Sequence, residues 1–443
     1  MALFDAIPPG RPRLLWRAPG GEALVAVGRA VRVAPPVGAG AGPQPGSTAA
    51  AEAVAGLGAL VAEELDALLH PGGEAPAGLR VLFTVAFDPS AAFGAGPRAE
   101  RWRGFAPAEA FVPEILVRCS EAAGDAEAVL VGGEERLPEL RAELAGAVAA
   151  AAGGDRPRPA PEGDLVVEWA EGEHRANVVA ALEALRRPGL SKVVLAHAVE
   201  VRRDRPFAPG ALLDALSREH PSCFLFAVQP EPGAPVFLGA SPERLARVED
   251  GPEAGRRRVL SGALAGSAPR GPSPDEDELL GRSLLASAKD RDEHAIVGEM
   301  IAGALQPLCL RVEGGGEPVL ERLSNVQHLF TPISGELRPG RGLFDAVAAL
   351  HPTPAVGGMP RERALTAIRE LEREPRGLYA GVIGWADLAG RGDSAVAIRS
   401  ALVDGARARV FAGGGIVPTS DPDVELEETR LKMAAVLGAL EGR

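Results

Sequence analysis

The sequence predicts an α+β fold, and three observations carry the prediction. Short runs rich in Val, Ile, Leu and Phe recur with turn signals between them, at the spacing of hairpins. Helical periodicity is gathered into blocks and does not alternate one-for-one with strands, which argues against βαβ units. The chain of 443 residues is 46% hydrophobic and 24% charged, enough to build one large core or two ordinary ones.

In order along the chain, residues 35–50 (PPVGAGAGPQPGSTAA) read as a loop by composition. Residues 49–69 read as an amphipathic helix, and LRVLFTVAFDP (79–89) as a strand ending at Asp-Pro. FVPEILVRCS (111–120) and AEAVLVGG (126–133) are two further strands, followed by a helix over 139–154. DRPRPAPEGD (155–164) is the most linker-like stretch, so the internal boundary is expected there. Beyond it come a helix, a Gly turn and a strong β run (SKVVLAHAVEVRR). The strands CFLFAVQ, PVFLGAS, RRVLSGALAG, AGVIGWADL, SAVAIRSALVD and RARVFAGGGIV follow. Two helix pairs near 275–306 and 361–373 interrupt these strands, and a last helix closes the series.

The net charge of −13, spread along the chain, argues against a nucleic-acid partner and leaves room for a small anion in a local basic pocket. Cys119, Cys223 and Cys309 follow no metal-ligand spacing, which fits a reduced, cytoplasmic protein. The first residues lack a signal-peptide pattern, and no run approaches 18 apolar residues, so no membrane span is expected.

The stretch SAKDRDEHAIVGEMI (287–301) is anomalous. At about 100° per residue, Val297, Met300, Ile301 and Ala304 share one helix side with Asp290 and Glu293. Carboxylates buried bare on an apolar stripe cost several kcal/mol each, about 3–5 when a partner is missing. The last helix repeats the pattern: Glu425, Glu428 and Lys432 line a strip beside the core stripe of Leu426, Met433, Leu437 and Leu440. Two readings fit that strip, a solvated face with an i,i+4 Glu–Lys pair or carboxylates converging on a hard cation, Mg²⁺ above all.

With SKVVLAHAVEV (191–201), FLGASPERL (237–245) and FAGGGIVPTSDPDVELEETRLKM (411–433) beside SAKDRDEHAIV (287–297), the chain resembles the chorismate-utilising enzymes, the family of isochorismate, salicylate, anthranilate and aminodeoxychorismate synthases. The matching stretches also include LSGALAGSAPRG (260–271) and LSNVQHLFTPISGEL (323–337). LHPTPAVGGMP (350–360), RGLYAGVIGWAD (376–387) and AIRSALV (397–403) complete them, all in family order. The resemblance implies two large packed antiparallel sheets with helices outside. It also implies a catalytic core over 165–443 and, over 1–160, a variable N-terminal part of the same sandwich that is not independent.

What the resemblance implies for the site is specific. Glu293 and Glu428 would hold Mg²⁺, with Asp290 and Glu425 supporting it through water. Lys192 would deprotonate a water attacking ring carbon C2, which requires a lowered lysine pKa. Glu243 would protonate the departing C4 hydroxyl, which requires a raised carboxyl pKa. Arg399 would clamp a substrate carboxylate bidentately and Lys432 would contact a second one. Gly413, Gly414 and Gly415 would let backbone N–H groups approach an anion, and Gly266, Ser267, His294, His328 and Tyr379 would complete the binding site.

Within the family, Lys192 together with Ala265, where aminodeoxychorismate synthases carry an attacking Lys, is the combination of the water-using members. Ala263 and His197 depart from the commoner Pro and Arg. An isochorismate synthase is therefore expected, with salicylate synthase as the alternative and a non-catalytic chorismate-binding protein as a third reading. No glutamine amidotransferase subunit is expected, and nothing demands more than a monomer.

Overall fold

The computed structural model describes the chain except residues 8–9, 36–47, 69–77, 92, 94–99, 121–123, 154–163, 254, 325 and 443. Most of the loop expected at 35–50 and nearly all of the linker expected at 155–164 fall outside the described residues.

The first third contains α1 (Ala2–Ala6), β1 (Arg13–Arg17), β2 (Glu22–Val27), β3 (Val31–Val33) and α2 (Ala49–Leu68). β4 (Val81–Val85), β5 (Ala108–Val112), β6 (Ile115–Ser120), β7 (Asp125–Leu130) and α3 (Leu137–Ala152) complete it. Next come β8 (Val166–Glu168), α4 (Glu171–Leu185), β9 (Lys192–Arg202), α5 (Pro209–Glu219), β10 (Phe224–Gln229) and β11 (Val236–Ser241). β12 (Arg244–Asp250), β13 (Arg257–Pro269), α6 (Pro274–Ala286) and α7 (Ala288–Leu305) lead to β14 (Cys309–Gly314), β15 (Val319–Arg322) and β16 (Val326–Leu337). α8 (Leu343–Leu350), β17 (Gly358–Met359), α9 (Arg361–Leu371), β18 (Val382–Ala386) and β19 (Gly392–Val396) follow, then β20 (Ser400–Asp404), β21 (Arg407–Ile416) and α10 (Pro422–Glu441).

These strands form two antiparallel sheets. The first runs β17-β9-β21-β20-β11-β10-β1-β2-β6-β7, with β8 also on β9; the second runs β14-β16-β13-β12-β19-β18-β4-β5-β3, with β15 also on β16. Strands from the first third thus pair into both sheets. Side-chain alternation sends Leu14, Trp16, Leu24, Phe226 and Phe237 of the first sheet into one core with Leu82 and Ile383 of the second, whose other face packs Phe83 on Phe344 of α8. The opposite residues of the first sheet, Leu15, Val25 and Leu225, meet Phe4 of α1, Leu212 and Leu216 of α5 and Met433 and Leu437 of α10. Fully burying each such side chain contributes about 1.5–3 kcal/mol. Among the described residues no helix is long and apolar enough to cross a membrane. All three cysteines are free thiols.

Two runs that read as single strands, FVPEILVRCS and SAVAIRSALVD, and the turn after the strand PVFLGAS are crossovers between the sheets. FVPEILVRCS splits at Pro113 into β5 of the second sheet and β6 of the first. FLGASPERL splits at Pro242 into β11 and β12, and SAVAIRSALVD splits into β19 and β20. Proline has no N–H to give a ladder, which explains the first two breaks. In the third, Arg399 takes φ +50°, and Ala380 opposite takes φ +59° with its N–H donating to the Ala397 carbonyl. GGG at 413–415 lies in β21, as the strand reading of RARVFAGGGIV expects, and pairs to β9 as Gly413↔Ala196, Gly414↔Leu195 and Gly415↔Val194. The helix pair expected at 361–373 is a single helix, α9, with α8 before it.

Candidate active site

One cleft gathers most of the expected site residues. Lys192, Glu243, Gly266, Ser267, Asp290, Glu293, His328, Tyr379, Arg399, Gly413, Gly415, Glu425, Glu428 and Lys432 all line it. Gly414 and His294 do not. His294 is buried on α7, its Nε2 2.8 Å from the Thr331 hydroxyl and its Nδ1 3.3 Å from the Ala265 carbonyl, so it fixes the helix to β13 and β16. The departure at His197 lies on the other side of β9, where its ring stacks on His174.

Two of the three sheet crossovers deliver the two most constrained groups. At the β11–β12 corner the Ser241 hydroxyl donates to the Val396 carbonyl (2.6 Å) and accepts from the Glu243 N–H (3.2 Å), fixing the Glu243 backbone. The Glu243 carboxyl is 7% exposed and accepts a 3.4 Å hydrogen bond from Thr353. Burial pushes its pKa up to about 7, against the opposing pull of Thr353, Lys192 and Lys432. At the β19–β20 corner sits Arg399, in the left-handed region that costs a non-glycine residue about 1–2 kcal/mol. Its Nη2 donates to His328 Nε2 at 3.0 Å, and its Nη1 is buried without a partner among the described residues. Burial lowers the Arg399 pKa, and it lowers that of His328 to about 3, helped by the charges of Arg399 and Lys432. His328 is therefore neutral, with Nε2 accepting and Nδ1 turned to the Ser267 hydroxyl (2.9 Å) and the Gly266 carbonyl (3.2 Å). The bulge between Ala265 and Ser267 brings Ser267 to this position. Gly266 makes the bulge feasible: its φ is +76°, and a Cβ there would come 3.2 Å from Asp290.

Lys192 opens β9, where it is 4% exposed, and donates to Glu293 on α7 at 2.7 Å. Lys432 on α10 pairs with Glu428 at 2.6 Å and donates to the Gly413 carbonyl at 2.9 Å, beyond the last β20 pairing at Phe411. Lys432 is the main cause of a lowered Glu428 pKa. Glu425 accepts from the Ser420 hydroxyl (2.6 Å), and burial, with Glu428 nearby, raises its pKa. Asp290 also caps α7 with Ser287, its N–H donating to the Ser287 hydroxyl while that hydroxyl donates to its carboxylate. Tyr379 is buried and its ring stacks on Phe411 at 5.1 Å.

Several functional positions were not singled out from sequence. Arg376 makes a buried two-point pair with Glu372 and donates to the carbonyls of Val356 (2.8 Å) and Val194 (2.6 Å), while Glu372 accepts from the Ala196 N–H (2.7 Å). This clamp ties the strand bearing Lys192 to the segment bearing Thr353. The i,i+4 Glu–Arg spacing in EREPR was the available signal.

The carboxylates fit a hard dication by their chemistry. The donors are oxygen only, Glu425 and Glu428 raise each other's cost of ionisation, and Glu293 and Glu428 already hold cationic ammonium groups. Gly414 and Gly415 leave the space: a Cβ would stand 3.1 Å from Glu425 Oε2 and 3.4 Å from Glu293 Oε1 respectively. Among the described residues no three acidic, His or Cys side chains converge closely enough to hold an ion unaided, so substrate and water would complete the shell. At Gly415 a Cβ would also meet Lys192 Cε at 2.8 Å. Gly415→Ala is therefore expected to displace the ammonium and lower turnover about 10²-fold, with the thermal midpoint little changed. Steady-state kinetics and a melting curve check this.

Comparison with known proteins identifies the family. The family described as chorismate binding enzyme matches residues 37–441, and the chain belongs to it. The isochorismate synthase MenF of Bacillus subtilis is 37% identical over 362 residues, covering 78% of this chain and 72% of that protein. The salicylate biosynthesis isochorismate synthase of Pseudomonas aeruginosa is 39% identical over 377 residues, with 83% and 75% covered. Among solved structures, the menaquinone-specific isochorismate synthase MenF of Escherichia coli superposes with a TM-score of 0.73 at 25% identity, covering 99% of this chain and 91% of that one.

Proposed function

We propose that the protein is an isochorismate synthase, a Mg²⁺-dependent isomerase that converts chorismate to isochorismate for menaquinone or siderophore biosynthesis. The observation that carries the reading is the pairing in one cleft of a buried carboxyl whose pKa is about 7 with a buried lysine on a separate strand. Lys192 takes a proton from the water whose oxygen bonds to C2. The ring double bonds shift, the C4–O bond breaks, and Glu243 gives its proton to the departing hydroxyl, which leaves as water. One water enters and one leaves, so substrate and product are isomers.

Arg399, with its unpartnered Nη1 and its orientation set by neutral His328, supports the binding of one substrate carboxylate. Glu293 and Glu428 would hold Mg²⁺, with Asp290 and Glu425 behind it, and the ion would supply positive charge to a second carboxylate. Ala265 lines the cleft with a methyl group, so β13 offers no amine to compete with water. Ammonia has no role in this chemistry, which leaves nothing for an amidotransferase subunit to supply, and we read the protein as a cytoplasmic monomer.

Chromatography of the products from chorismate tests the reading. A chorismate–isochorismate mixture that forms with Mg²⁺, stops with EDTA and contains no pyruvate is expected. Salicylate with equimolar pyruvate would make the protein a lyase. No turnover would leave a binding protein.

A further inference from the structure

The chain carries 47 basic residues, of which only three are lysines: Lys192, Lys289 and Lys432. All three line the one cleft, and the remaining basic residues of its wall are Arg376 and Arg399. Wherever a surface charge, a buried pair or a guanidinium fork serves, this chain uses arginine. Lysine remains only where the cleft asks for an ammonium. Lys192 and Lys432 have evident roles and are ion-paired at 2.7 Å and 2.6 Å. Lys289 has been given none.

Its placement runs against local stability. Lys289 is the second residue of α7, one position before Asp290, and a cation in the first turn of a helix opposes the macrodipole. It is exposed, so its ammonium lies where the cleft meets solvent. It acts electrostatically on Glu425 and Glu428 of α10, yet no ion pair or hydrogen bond to its ammonium is found among the described residues. A guanidinium there would reach the same carboxylates with a rigid fork and bridge α7 to α10 across the opening. A compact ammonium leaves the opening passable.

We infer that Lys289 is a third functional lysine of the cleft, which receives a carboxylate of the dianionic substrate at the mouth and draws it in through the field of an otherwise acidic protein. The inference rests on chorismate being the substrate. Arg399 holds one carboxylate deep in the cleft, and Lys289 acts during entry on the other, the one that Mg²⁺ and Lys432 receive once the substrate is seated.

The test compares wild type, Lys289→Ala and Lys289→Arg, each with Mg²⁺, in steady-state kinetics on chorismate at low and high salt. Mg²⁺ affinity without chorismate and thermal midpoints are measured alongside. Lys289→Ala is expected to raise KM tenfold or more with kcat within twofold, and to flatten the salt dependence of kcat/KM. Its Mg²⁺ binding should not weaken, and its midpoint should not fall. Lys289→Arg is expected to leave KM well above the wild-type value. A KM within twofold of wild type for Lys289→Ala, or full recovery by arginine, would overturn the inference. Loss of Mg²⁺ binding or a lowered midpoint would assign Lys289 a structural role and overturn it equally. If wild type itself neither binds nor turns over chorismate, the functional reading fails first, which is a separate result.

Discussion

Glu243→Gln is expected to lower chorismate turnover by about 10²–10⁴-fold while leaving the fold intact. Glutamine matches the carboxyl in shape and can keep the contact from Thr353, but it has no acidic proton to give to the C4 hydroxyl. The pH profile should identify the group. Burial raises the Glu243 pKa from 4.5 to about 7, so the acid form needed for the forward reaction is lost as pH rises through about 7. The wild-type rate should therefore fall on the alkaline side of 7, and the residual rate of Glu243→Gln should lack that limb. Stability follows the same proton. A carboxyl with a raised folded-state pKa contributes stability that is fully present below pH 4.5 and is lost as pH climbs through about 7. The variant should not lose that increment, so its melting temperature should change less than the wild type's between pH 6 and about 8. Identical alkaline limbs in the two proteins would remove Glu243 from the role of acid.

Lys192→Met should have an effect of similar size, about 10²–10⁴-fold on kcat, for a different reason. Methionine fills the same buried space at the start of β9 but cannot accept a proton from water. It also frees Glu293 from its 2.7 Å ion pair. Chorismate and Mg²⁺ should therefore still bind, and calorimetry should find Mg²⁺ affinity unchanged or tighter because a competing cation is gone. A variant that turns over normally would remove Lys192 as the base. A variant that no longer binds chorismate would make it a substrate contact instead.

Much of the site was legible because its groups sit in short motifs whose spacing survives folding. Asp290 and Glu293 on α7, and Glu425, Glu428 and Lys432 on α10, fall on one helix face each, and helix periodicity is local. The crossovers were not legible in the same way. SAVAIRSALVD looks like one strand because alternation says nothing about which sheet a residue joins, and the break depends on Arg399 entering a left-handed conformation, with its carbonyl accepting from the Ala240 N–H and Ala397 bonded to Ala380 and Gly381. RARVFAGGGIV was legible as a strand, but its ladder partner β9 lies more than two hundred residues earlier in the chain, which periodicity does not show. The neutral state of His328 and the clamp formed by Glu372 and Arg376 depend on groups brought together from distant strands. Ser287, three residues before Asp290, caps α7 by accepting from the Asp290 N–H, a local spacing that the sequence shows.

The central claim is that water, activated in this cleft, supplies the new hydroxyl at C2. The most direct test is turnover of chorismate with Mg²⁺ in ¹⁸O-labelled water, followed by mass spectrometry of the isochorismate formed at the earliest times. The account predicts one ¹⁸O in each molecule, located at the C2 hydroxyl, with no pyruvate released. Unlabelled isochorismate would mean that the hydroxyl migrates within the substrate, and would contradict the roles given to Lys192 and Glu243.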